Sequence, residues 1–290
     1  MRIEMKRWAG LGLAGALAGA GLAGCAEEAP EDPAAESAGA DGAMPGEAGE
    51  GEGGEAGEGE GGEGEGGEGE GGEGGEGGVD FTAAASDPVV YLTALAVAEA
   101  HALAAYDAFR AGKTDPAAEM YGHPVSEVLA DMDPVFAELG VDDFKPRFNE
   151  ASQTVLDGGD ETEVRERHDA VLAAIEQAAG KAPDSQASGA DVAARVTADM
   201  IDRATAMYGE AQGSDRYEPY LDGYGFTRAA ARTFEDAQSA ISAESPDLAA
   251  RIREALDLLR EAYPAAERPA TLDVERGKLL GAASRVTLAL

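Results

Sequence analysis

Several residue types are scarce in this chain of 290 residues. It has one cysteine, three histidines, one tryptophan and only 22 Lys and Arg in total. A single cysteine excludes an internal disulfide, a Cys-x-x-Cys redox pair and a thiolate-rich zinc site, so the fold has to rest on its packed core. The three histidines form no His-Glu-x-x-His pattern. No Ser/His/Asp arrangement and no glycine-rich phosphate loop is found either, so catalysis has little to stand on and the protein is expected not to be an enzyme. The few basic residues face 57 Asp and Glu, a formal net charge of −35. Such a chain repels nucleic acid and anionic headgroups, and cations are its natural counter-species.

The cysteine sits at an informative place. Arg2, Lys6 and Arg7 precede an apolar, Gly/Ala-rich run from Trp8 to Gly24, which closes as Leu22-Ala23-Gly24-Cys25. A basic start, an apolar stretch and small residues before a cut are the layout of a secretory signal. The run is diluted by glycine and shorter than the roughly 20 apolar residues that span a bilayer. A retained membrane helix and an incidental cysteine are the competing readings. Leu22 to Cys25 resembles the lipobox of bacterial lipoproteins. That resemblance implies a signal peptide at 1–24, a diacylglyceryl group on Cys25, and a place in the cell envelope. Ala26 follows the cysteine where inner-membrane retention would favour Asp, so a Gram-negative source would imply the outer membrane, facing the periplasm. Each buried CH₂ of an acyl chain contributes ~0.8 kcal/mol, and two or three chains on Cys25 hold firmly. The leader holds three basic residues and one acidic residue, so the remainder keeps 19 against 56, a net charge of −37.

Residues 25–79 read as a disordered acidic linker. From Ala26 to Gly78 there is no Lys, no Arg and no aromatic residue, and Glu47 to Gly78 is almost wholly Gly and Glu. Such a segment has no apolar surface with which to offset its ordering entropy. As a coil it spans roughly 40 Å, and more with charge repulsion. A spacer is the plain reading; a weak cation sponge is the sharper one.

Residues 80–290 read as helix throughout, with no run of β-branched alternation. Asp87-Pro88 caps a helix that Gly112 stops, with Leu92, Leu95, Leu103 and Tyr106 at helical spacing. Asp115-Pro116 starts a short helix expected to end near Gly122. Pro124 is expected to open the next, which Pro134 interrupts. A helix over 142–156 buries Phe148 and Val155 and exposes Lys145. Another begins at Asp160 and places Val164, His168, Val171 and Ile175 on one face. Gly180 to Gly189 is a polar break, which suggests halves at 80–180 and 181–290. Beyond it, helices are expected over 190–211, from Pro219, from Ser245-Pro246, and after a cap at Thr271. The fold class is all-α: a helical bundle, built as two tandem four-helix bundles or as one fused bundle.

Candidate chemistry centres on His101 and His123. His123 stands in Glu119-Met120-Tyr121-Gly122-His123-Pro124, with Glu127 four residues on. His-x-x-x-Glu on one helical face can present two ligands to one cation, and His101 completes the set if its helix packs antiparallel to that of His123. Glu119 is a more distant member. A backbone-satisfied His123 and a buried core His101 are the alternatives. His168, between charged residues, reads as packing or surface. Glu210, Glu218, Tyr220 and Asp222 suit hard ferric iron or calcium, or equally a solvated acidic face.

Glu99-Ala100-His101-Ala102-Leu103, Tyr121-Gly122-His123-Pro124 with Glu127, Met207-Tyr208-Gly209-Glu210, Tyr224-Gly225-Phe226 and the ending Ser284 to Leu290 together resemble a family of bacterial envelope helical proteins. These are the imelysin-type iron-regulated proteins and the periplasmic helical domains attached to iron permeases. The Gly-x-His-x-x-Glu hallmark of imelysins is absent. The resemblance implies binding or uptake of iron or another divalent cation at His101, His123 and Glu127, and a metal permease or other envelope protein as partner. The alternative is a structural or interaction lipoprotein with no ligand of its own.

Overall fold

A computed structural model describes residues 81–290. The leader, Cys25 and the Gly/Glu segment lie outside the described residues, and so do the expectations of cleavage, lipidation and a disordered linker.

Helix α1 (Pro88–Arg110) starts where the Asp87 carboxylate accepts the Val89 N–H at 2.8 Å, with Pro88 in the first turn. It ends at Gly112, whose φ of 74° is left-handed. By length and composition α1 could cross a membrane, yet 72% of its most apolar stretch is buried against other helices. A helix that is apolar on all sides belongs at the centre of a bundle. Its alanines at 94, 98, 102 and 105 let neighbours approach closely.

The chain continues through α2 (Thr114–Pro124), a π-helical turn (Val125–Leu129), α3 (Asp133–Leu139), α4 (Lys145–Leu156) and α5 (Glu161–Ala179). It then forms α6 (Gly189–Gly213), α7 (Glu218–Glu244), α8 (Pro246–Ala262) and α9 (Arg276–Thr287). The described residues hold nine α-helices and no strand, so the all-α class is observed. α6 and α7 share the largest helix–helix interface, and α1 packs on α7 and α6 as well as on α2 and α5. Both sequence halves therefore share α1, and the described residues belong to one compact unit, a fused bundle.

Three boundaries differ from the sequence expectation. α2 does not stop at Gly122, and Pro124 does not open a new helix. Proline lacks an N–H but its φ suits a helix. The backbone passes Pro124 and shifts to wider pairing, with Ala130 N–H on Val125 O at 3.2 Å. Lys145 is not an exposed residue inside a helix; it opens α4, and its ammonium lies between Asp133 and Asp143 with its side chain 19% exposed. Thr271 caps nothing: its hydroxyl donates to Asp273 at 3.0 Å. The following segment is held to α6 by the Gln212 amide on the Leu272 and Val274 carbonyls and by Val274 N–H on the Tyr208 hydroxyl, so α9 waits until Arg276.

Candidate metal centre

His101 lies on the buried side of α1, only 6% exposed. Its Nδ1 is 2.8 Å from the Val97 carbonyl one turn back. A carbonyl only accepts, so Nδ1 carries the proton and Nε2 keeps its lone pair. Burial pulls the imidazole down to about 4, against the modest opposing effect of the Val97 bond. His101 is therefore neutral at physiological pH, the form in which imidazole binds metals.

Nε2 of His101 faces Asp222 Oδ1 at 3.7 Å. Asp222 projects from α7, and its Oδ1 is shielded from solvent and accepts no hydrogen bond from the described residues. Burial, followed by the nearby Glu218, Glu127 and Glu210, pushes the carboxyl up to about 7. Two acceptors thus face each other in a poorly solvated place. Such a pair needs a shared proton or a cation between its members.

His123 supplies a third donor from the end of α2. Its ring centroid is 6.0 Å from that of His101. One ligand atom from each of His101, His123 and Asp222 lies within 4.8 Å of the others. Metal–nitrogen bonds of about 2.0–2.1 Å would set tetrahedral ligands about 3.4 Å apart, so the donors need to draw in by roughly an ångström. Glu127 Oε1 is 4.0 Å from His123 Nδ1 across the π-turn, where a carboxylate can orient a ligating imidazole.

The local sequence explains how Asp222 gets there. Asp222-Gly223-Tyr224-Gly225 lies inside a 27-residue helix, where each glycine costs about 1 kcal/mol relative to alanine. Neither position has room for a side chain. A Cβ on Gly223 would stand 1.9 Å from the Tyr263 hydroxyl, and one on Gly225 would stand 2.5 Å from the Ala100 carbonyl. Gly225 thus lets α7 press against α1 beside His101, while Gly223 makes room for the Tyr263 ring. Tyr224 O–H donates to Asp107 at 2.8 Å, and Arg228 pairs with the same carboxylate, pinning the two helices.

Of the residues singled out in the sequence, His101 and His123 are brought together, with Glu127 beside His123. Glu119 lies outside the three-donor cluster, on the rim of an adjoining cleft. Asp222 joins from the second half, separated from its sequence neighbours. Tyr220 is fully buried and donates its hydroxyl to the Ala265 carbonyl at 2.7 Å, so it is no ligand. His168 is a core residue: it stacks on Tyr106 at 4.6 Å, and its Nδ1 shares a hydrogen bond with the Tyr121 hydroxyl at 3.1 Å. The clue that sequence reading missed was the doubled glycine after Asp222 inside a helical pattern, which marks a close helix contact.

Two imidazole nitrogens and a carboxylate oxygen are a borderline donor set, suited to Fe²⁺, Co²⁺, Ni²⁺ or Zn²⁺ rather than to Ca²⁺ or Mg²⁺. Three protein donors leave coordination positions for water or an exchanging ligand. No family model, curated protein or solved structure matches the chain.

Proposed function

We propose that this is a lipid-anchored, extracytoplasmic helical binding protein that captures a divalent transition-metal cation, iron among them. The cation is held by His101, His123 and Asp222, with Glu127 orienting His123. The observation that carries the reading is the Asp222 Oδ1 facing the lone pair of His101 with no hydrogen bond among the described residues. A cation there would satisfy both groups at once, and burial would strengthen the attraction. The anchor follows from the leader and Cys25. It leaves the bundle free to collect metal and hand it to a membrane partner such as a metal permease, the role implied by the likeness to imelysin-type and permease-associated proteins.

The test is calorimetric titration of Fe²⁺ (anaerobic), Ni²⁺ and Zn²⁺ into the mature chain and into Asp222→Asn, His101→Ala and His123→Ala. The Gly/Glu segment is common to all four, so its weak background binding cancels. One site per chain, lost in each variant, supports the reading. Equal binding by wild type and all three variants refutes it.

A further inference from the structure

A cleft of about 250 Å³ lies between α2 and the start of α7, and His123 forms part of its wall. His123 is also one of the three donors, so the cleft reaches the metal centre at that residue, with His101 and Asp222 behind its lining. Met120 and Leu221 line its apolar part, while Glu119 and Glu218 bring carboxylates from opposite helices. Arg216, in the loop between α6 and α7, is the only Lys or Arg in this lining. Its guanidinium pairs with Glu218, and its backbone N–H donates to Ser214 Oγ at 3.0 Å. The Arg216 side chain is 69% exposed, so no packing role accounts for it. Its charge also acts on Glu210 and Asp222.

We infer that this cleft is the port through which the cation reaches the three donors, and that Arg216 is its selectivity gate. The inference rests on the metal-capture reading. Arg216 is a resident single positive charge among carboxylates. An incoming monovalent ion offers Glu218 nothing that the guanidinium does not already supply, and it must lose hydration to enter. A divalent ion offers twice the charge and has imidazoles waiting deeper in. An exposed ion pair contributes at most about 1 kcal/mol, so the gate yields readily. When Arg216 swings out, Glu119 and Glu218 are left as paired outer carboxylates that guide the cation to His123. The gate acts by charge, so lysine should replace arginine and a neutral residue should not.

The experiment compares wild type, Arg216→Gln and Arg216→Lys in the mature chain, using Ni²⁺ as probe. Association rates are followed by stopped flow at low ionic strength and under added NaCl. Arg216→Gln is expected to bind Ni²⁺ about three- to fivefold faster at low salt, because one repelling charge has left the port. Na⁺ should slow that variant more steeply than wild type. Arg216→Lys should track wild type, and the metal-free melting temperatures should coincide. Wild-type rates and Na⁺ response in Arg216→Gln overturn the gate, as does an Arg216→Lys that behaves like Gln. Were wild type to bind no more Ni²⁺ than Asp222→Asn, the capture reading itself would fall; normal binding with an indifferent Arg216 removes only the gate.

Discussion

Replacing Asp222 with asparagine should make the metal-free protein more stable and the metal-loaded protein less so. The carboxyl is raised from its ordinary 3.8 to about 7 by burial, so the folded state holds its proton more tightly than the unfolded chain does. Its contribution is fully present below about pH 4 and is lost as pH rises through about 7. At pH 8 the difference corresponds to an upper bound of about 4 kcal/mol, and about 2–3 kcal/mol after local relaxation and water entry. Asparagine carries no charge, and its amide N–H can donate to the His101 lone pair, so the variant should recover that amount. For a domain of this size 1 kcal/mol moves Tm by about 2–4 °C, which gives a rise of about 5–10 °C. At pH 5 folded Asp222 is protonated while the unfolded chain's carboxyl is largely ionised, so the gap should shrink to roughly 40% of its pH 8 value and close only below about pH 4. Zn²⁺ at a hundred times its Kd should stabilise wild type by about 2.7 kcal/mol and leave the variant unmoved. The assay is thermal melting together with urea denaturation, with chelator or Zn²⁺, at pH 5 and pH 8. A variant no more stable than wild type at pH 8 with chelator, or one equally stabilised by Zn²⁺, would refute the reasoning.

Other outcomes follow from separate parts of the fold. Gly225→Ala should destabilise by at least 2 kcal/mol and weaken metal binding, because its Cβ meets the Ala100 backbone, whereas Gly122→Ala, with open space around it, should be neutral or gain up to about 1 kcal/mol by thermal melting. His168 is held down to about 4 by burial, so it contributes stability above its ordinary 6.5 that is lost as pH falls toward 4; His168→Phe should flatten that acid limb by up to about 3 kcal/mol in pH-dependent denaturation, while losing about 1–3 kcal/mol at neutral pH because the Tyr121 hydroxyl is stranded. Cys25→Ser should move the protein from the membrane to the soluble fraction on cell fractionation.

Much of the helical layout was legible because the signals are local. Asp87-Pro88, Asp160 and Ser245-Pro246 mark helix starts that depend only on neighbouring residues. The errors arose where distant side chains decided. Thr271 looked like a cap, but Gln212 and Tyr208 hold the next segment to α6. Pro124 looked like a start, but a helix already packed on α1 carried straight past it. The candidate site divided in the same way. His101, His123 and Glu127 could be grouped because two of them share a short spacing. Asp222 could not, since only the close packing of α7 on α1 at Gly225 brings it beside His101. Sequence spacing ranks neighbours along one helix and is silent about which face of a remote helix will meet it.

The three donors are not equally well founded. His101 and Asp222 ride on helices of 23 and 27 residues that press directly together, whereas His123 ends an 11-residue helix that loosens into the π-turn. Unloading should therefore begin as a local opening of residues 122–127, between the buried Met120–Tyr121 and Val128–Leu129 pairs, with the long helices staying put. A receiver that grips this one soft corner could empty the protein without prying the bundle apart. Amide exchange should show that corner opening first and becoming quieter when metal is bound.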